Sequence, residues 1–130
     1  MAIQHLNPPS MFSSPAFSQG TIVPAGARIL YVGGQNGVGS DGKVVGNTLE
    51  AQTEQALRNV LAVLTEAGAT QADVAKLTIH LVQGGDVSAG FAASLAVWGA
   101  HPTAITVVQV PGFADADKLV EIDAVAALPG

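Results

Sequence analysis

The chain contains no cysteine, so a disulfide framework, thiolate chemistry and thiol-ligated zinc are all excluded. Charge is scarce as well: 12% of its 130 residues are Asp, Glu, Lys or Arg, about half the share usual for a soluble domain. A surface with so little charge suits a protein that buries part of itself against further copies. Basic residues are the scarcest of all. Arg28, Lys43, Arg58, Lys76 and Lys118 stand against ten acidic residues, giving a net charge of −5, and they form no basic run. The cationic footprint that a phosphate backbone requires is missing, so no nucleic-acid partner is expected. No apolar run approaches the roughly 18 residues of a membrane span, and the N-terminal residues lack the basic and apolar regions of a signal peptide. We therefore expect no membrane association and a cytoplasmic location. What the chain has in abundance is apolar residues, at 48%, which excludes disorder.

The length fits one domain over residues 1–130. Residues 1–20 carry Pro8, Pro9, Pro15 and Gly20 and read as an irregular arm with one short edge strand. Arg28 to Val32 is β-rich and runs into a glycine-rich loop with an Asp41-Gly42 turn, and Lys43 to Val45 fits a short return strand. The loop matches G-x-G-x-x-G over Gly37 to Gly42. A phosphate cradle needs a helix at once, however, and an extended Lys43-Val44-Val45 points to a hairpin turn instead. A helix follows, with Asn47 as its cap, Glu50 completing a capping box, Leu57, Val60, Leu61 and Leu64 at helical spacing, and Gly68 as the stop. Glu54 and Arg58 sit one turn apart on its outer face.

Lys76 to Val82 alternates as a strand, Ser88 to Gly99 forms a second helix with Phe91, Leu95 and Trp98 on one stripe, and Ile105 to Val110 and Leu119 to Ala127 are the last strands. This order is an α+β domain with two helices on one face of a sheet. Leu77, Ile79 and Leu81, with Val120, Ile122, Ala124 and Ala126, belong under the helices. The opposite face mixes Val82, Leu119 and Val125 with Thr78, His80, Glu121 and Asp123, which suits a subunit interface enclosing small polar pockets.

Few residues announce chemistry. His5, His80 and His101 have no metal-ligand spacing, so no metal is expected. A lone strand histidine such as His80 is more often a hydrogen-bonded interior residue than a catalyst. Glu121 and Asp123 project from one strand face about 7 Å apart. That arrangement fits a proton-transferring pair, though a solvated or salt-bridged strand pair fits the sequence alone slightly better.

Together these segments resemble the Rid family of reactive intermediate deaminases, also called YjgF-type proteins. The likeness rests on P-A-F-S-Q-G (Pro15 to Gly20), Gly34-Gln35 after the first strong strand, the helix segment from Gln55 to Gly68, D-V-A-K-L-T-I-H-L (Asp73 to Leu81) and L-V-E-I-D-A-V-A (Leu119 to Ala126). It implies a chorismate-mutase-like fold with a mixed sheet. It also implies a homotrimer with small-molecule clefts between subunits, and cofactor-free hydrolysis of enamines and imines to 2-oxo acids and ammonia. On this resemblance Glu121 would position the attacking water. Phe17, Gly34, Gln35, Ile105, Thr106, Asp123 and His80 would line the ligand site. The family's carboxylate-clamping arginine has no counterpart in His101 to Thr106, where Ile105, or Ala104 with a small gap, stands in its place, and Phe17 lacks the hydroxyl of the family's tyrosine. Weak or absent activity on 2-imino acids follows, because losing a charged hydrogen bond of that kind costs roughly 1.5–3 kcal/mol. A divergent hydrolase and a non-catalytic metabolite-binding trimer using the same clefts are the two readings this leaves; a nuclease role fits the charge poorly.

Overall fold

A computed structural model describes residues 2–129. Six strands and two helices follow one another as β1 (Gln4–Leu6), β2 (Gly20–Ile22), β3 (Ile29–Gln35), α1 (Leu49–Glu66), β4 (Val74–Val82), α2 (Val87–Trp98), β5 (Ala104–Val110) and β6 (Val120–Ala127). The main sheet has the order β3-β6-β4-β5, with β4 and β5 parallel and the other pairs antiparallel. It is the α+β architecture with a mixed sheet expected from the sequence.

The alternation in β4 and β6 is obeyed. Val120, Ile122, Ala124 and Ala126 are buried with Leu77 and Leu81 against Ala56, Leu57, Val60 and Leu64 of α1. Each of its Val, Leu and Ile side chains contributes roughly 1.5–3 kcal/mol on burial, so this layer carries much of the fold's stability. Glu121, Asp123, Thr78 and His80 alternate with them and are only partly buried, on the other face.

Several local expectations shift. Thr48, not Asn47, caps α1: its extended backbone sets the hydroxyl to accept from the Ala51 amide at 3.1 Å. Glu50 then lies in the first turn, where its charge still favours the helix dipole. Gly68 ends the helix as expected, with φ of +77°. The first strong strand runs on through Gly33-Gly34-Gln35, because β6 keeps pairing with it past an irregularity between Val32 and Gln35. The expected return strand at 43–45 reduces to a single bridge, Val38 with Val44, closing the glycine-rich hairpin. The arm is less irregular than its prolines suggest: it contributes both β1 and, at its end, the start of β2, which pair antiparallel. Thr21 donates its hydroxyl to the Ala75 carbonyl at 2.6 Å, tying this small ribbon to β4. The second helix begins at Val87, capped by Asp86 accepting from the Ala89 amide, and Gly99 at φ +79° terminates it. Its stripe is only buried at one end, for Phe91 and Leu95 are about half exposed while Trp98 is buried.

Candidate functional site

Glu121 sits in β6 directly opposite His80 of β4, and Asp123 opposite Thr78. Thr78 in turn faces Thr106 of β5. These five side chains therefore form one polar patch on the sheet face away from the helices. His80 donates from Nδ1 to the Glu121 carbonyl at 3.2 Å, which makes Nδ1 the protonated ring nitrogen. Lys76, at the same strand parity, donates to the Thr106 hydroxyl. Reading the sequence for a cation missed this lysine. The signal was there in the alternation Lys76, Thr78, His80.

Gly34 completes the site at the β3 edge. A methyl group on Gly34 would lie 2.8 Å from the Glu121 Cδ and 3.0 Å from Oε2, so the carboxylate rests on bare backbone. Gly34 and Gln35 also line a polar basin of about 810 Å³ with Asn36, Gln55, Asn59 and Lys118. An amide network holds its walls. Asn59 donates to the Asn36 and Val38 carbonyls at 3.3 and 2.9 Å and accepts from Gln55 at 2.8 Å, while Asn36 donates to the Val120 carbonyl at 2.9 Å. Gln52, fully buried in α1, donates to the Gly46 and Asp117 carbonyls and accepts from the Leu119 amide, all within 2.9 Å. This one side chain fixes the approach to β6 and hence the position of Glu121. Polar residues on an otherwise apolar helix face were the available sign of it.

Lys118 is held at 2.7 Å by Asp115. That hydrogen bond, with the charges of Asp115, Asp117 and Glu121, raises its pKa against the opposing effect of desolvation. Asp115 alone is in contact with the ammonium, and Asp117 and Glu121 act on it by charge from farther away. Arg28 lies at the far end of β3, its carbonyl accepting from Leu128, and lines a separate hollow with Pro24 and Pro129.

Phe17 and Ile105 are elsewhere. Ser18 pairs with Ala104 and donates its amide to the Thr103 carbonyl at 2.9 Å, which pins the arm to the start of β5. Thr103 is buried and donates to the Val74 carbonyl at 2.8 Å. Phe17 is thereby brought beside Ile105 in an apolar pocket of about 270 Å³ that also includes Phe91, Leu95 and Trp98. Ile105 faces the helix side, opposite Leu77. The residues expected around one ligand therefore divide into two groups on opposite faces of the sheet. Gly34, His80, Thr106, Glu121 and Asp123 form one group and Phe17 and Ile105 the other; Gln35, in register with the helix-facing Ile122, sits at the β3 edge by the basin walled by Gln55 and Asn59. Among the described residues no cluster of three or more His, Asp or Glu could hold a metal ion.

Residues 10–128 match the family model described as Endoribonuclease L-PSP. The chain belongs to this family, the Rid or YjgF family of the sequence resemblance. Its fold is similar to that of YyfB from Yersinia pestis, a Rid-family protein of unknown function, with 33% identity, a TM-score of 0.87 and coverage of 98% of this chain and 100% of that one. A second Yersinia pestis Rid protein of unknown function, YyfA, matches at 30% identity and a TM-score of 0.70, covering 97% and 99% of the two chains. A Mycobacterium tuberculosis member of the YjgF/YER057c/UK114 family matches at 26% identity and 0.64, again over 97% and 99%. A search of curated protein sequences returns no match. No helix among the described residues is long and apolar enough to cross a membrane.

Proposed function

We propose that this Rid-family protein is a cofactor-free hydrolase of imine or enamine C–N bonds, working in clefts between the subunits of a homotrimer. The observation that carries the reading is Glu121. Its carboxylate lies on the Gly34 backbone beside a polar basin, and it takes part in no ion pair among the described residues. Such a group is free to orient a water. In the reaction Glu121 takes one proton from the water as its oxygen bonds to the carbon of a protonated imine, giving a neutral carbinolamine. That proton passes to the carbinolamine nitrogen, and as the C–N bond breaks and ammonia leaves, Glu121 takes the hydroxyl proton of the forming carbonyl.

The split between the two residue groups supports the subunit cleft. Ile105 and Glu121 lie on opposite faces, two strands apart and three positions out of register, about 14 Å between backbones, so one chain does not present both to one small ligand. A neighbouring copy packed on the mixed face can. The exposed Tyr31 and the partly exposed Val108 give that face apolar area to bury. The family model's nuclease name is a weaker guide for this chain, since Lys118 and Arg58 are paired with carboxylates and Lys76 is bonded to Thr106.

A non-catalytic metabolite-binding trimer is the second reading, favoured by the lack of arginine from His101 to Thr106. Glu121→Gln separates the two. Hydrolysis predicts that turnover of imines lacking a carboxylate falls roughly 10²–10⁴-fold with the assembly intact. A binder shows no turnover in either protein, only altered affinity.

A further inference from the structure

We infer that the pocket between the arm, α2 and β5 is a binding site for an uncharged apolar group, a saturated or aromatic ring or a branched aliphatic chain. The inference shares Phe17 and Ile105 with the cleft proposed above but does not depend on catalysis. The pocket has a floor of Ile105 and Val107, a wall of Phe91, Leu95 and Trp98, and Phe17 at the arm side, around about 270 Å³. That volume takes a ring of six or seven heavy atoms with a short substituent. Its only titratable lining residue among those described is His101; no lysine, arginine or carboxylate reaches it. A carboxylate placed there would lose its water without gaining a fixed cation, whereas a hydrocarbon would gain burial on every side. Phe91, Leu95 and Val107 are each about half exposed in one chain, so the pocket is walled yet open to entry. A narrower, almost wholly apolar recess over Thr53 adjoins through Ile79, Phe91, Ser94 and Val107 and extends the groove along α2.

Trp98 is the only tryptophan of the chain, so its emission reports on the pocket directly. The test titrates the intact protein with cyclohexylmethanol and with cyclohexanecarboxylate, two probes of nearly equal shape that differ in charge. We expect saturable changes in Trp98 emission, with the alcohol binding at least about tenfold more tightly at neutral pH. Ser94→Leu, which fills the pocket from α2, should abolish the response while leaving the circular dichroism spectrum unchanged. Ile105→Arg should reverse the order of the two probes. Equal affinities, a preference for the carboxylate, or no saturable response would overturn the assignment. So would an emission shift produced by raising protein concentration alone with no probe effect, since a neighbouring copy would then fill the pocket. Probe binding without imine turnover would sink only the hydrolase reading; turnover through Glu121 without probe binding would sink only this one.

Discussion

The Glu121 carboxylate lies so close over Gly34 that a single added methyl would sit 2.8 Å from its Cδ. Gly34 has no positive φ, so alanine fits the backbone there, and the obstacle is only the mobile end of one side chain. Gly34→Ala should therefore leave stability within about 0.5 kcal/mol, because surface changes without backbone strain seldom exceed that. It should nonetheless swing the Glu121 carboxylate aside and cut turnover at least tenfold. Urea unfolding and steady-state rates on the same preparation check both halves. Gly37→Ala is the contrasting case, for its methyl would meet the Gln52 Cα at 2.5 Å and force backbone apart.

Gln52 should be among the least replaceable residues. Gln52→Leu keeps the volume roughly but strands the Gly46 and Asp117 carbonyls and the Leu119 amide in the interior. Each buried unsatisfied group costs about 1–3 kcal/mol, so a loss of roughly 3 kcal/mol or more is expected in denaturant unfolding. A loss below about 1 kcal/mol would mean that water replaces the amide.

The layer order, the helix face of the sheet and the mixed opposite face were all legible in the sequence, because strict alternation in β4 and β6 leaves little freedom about which side is buried. Legibility failed where tertiary pairing overrides local preference. Gly33 to Gln35 looked like loop and is strand because β6 lies beside it. The candidate site was half legible. Glu121, Asp123, Thr78 and His80 share a face by parity alone, but the division of Phe17 and Ile105 from Glu121 depends on the arm's attachment through Ser18 and Thr103, which no local pattern encodes. Lys76 and the amides of Gln52 and Asn59 went unread because polar residues at helix and strand positions ordinarily face water.

Tyr31 is 76% exposed in one chain, on the mixed face beside Val125. In the proposed trimer it is covered by a neighbour. Burial of an aromatic side chain contributes roughly 1.5–3 kcal/mol, so Tyr31→Asp should raise the dissociation constant of the assembly by at least about tenfold. Light scattering over a dilution series reads this. An unchanged mass at every concentration would place the interface elsewhere.

Lys118 titrates above the ordinary lysine range in the folded chain, chiefly through its hydrogen bond to Asp115. Its contribution to stability is then complete below the unfolded lysine pKa of about 10.4 and fades as pH rises through the folded value. Asp115→Asn should lower the Lys118 midpoint in a side-chain NMR titration and shrink the stability lost at alkaline pH, with the onset unchanged because the unfolded pKa sets it. A midpoint that does not move would leave Asp117 and Glu121 as the cause.

Subunit complementation tests the central claim, that Glu121 of one subunit works opposite the Phe17–Ile105 pocket of its neighbour. Glu121→Gln disables one half of each cleft, and Ser94→Leu blocks the other, so each variant alone should be nearly inactive. Co-expressed and assembled together in equal amounts, they should regain about a quarter of native turnover, the share of clefts in which both halves are intact in a cyclic trimer with random subunit mixing. Mixed trimers separated by affinity tag, each with one intact cleft, should recover about a third, and this is what the account predicts. Mixed trimers no more active than the two variants alone would contradict it.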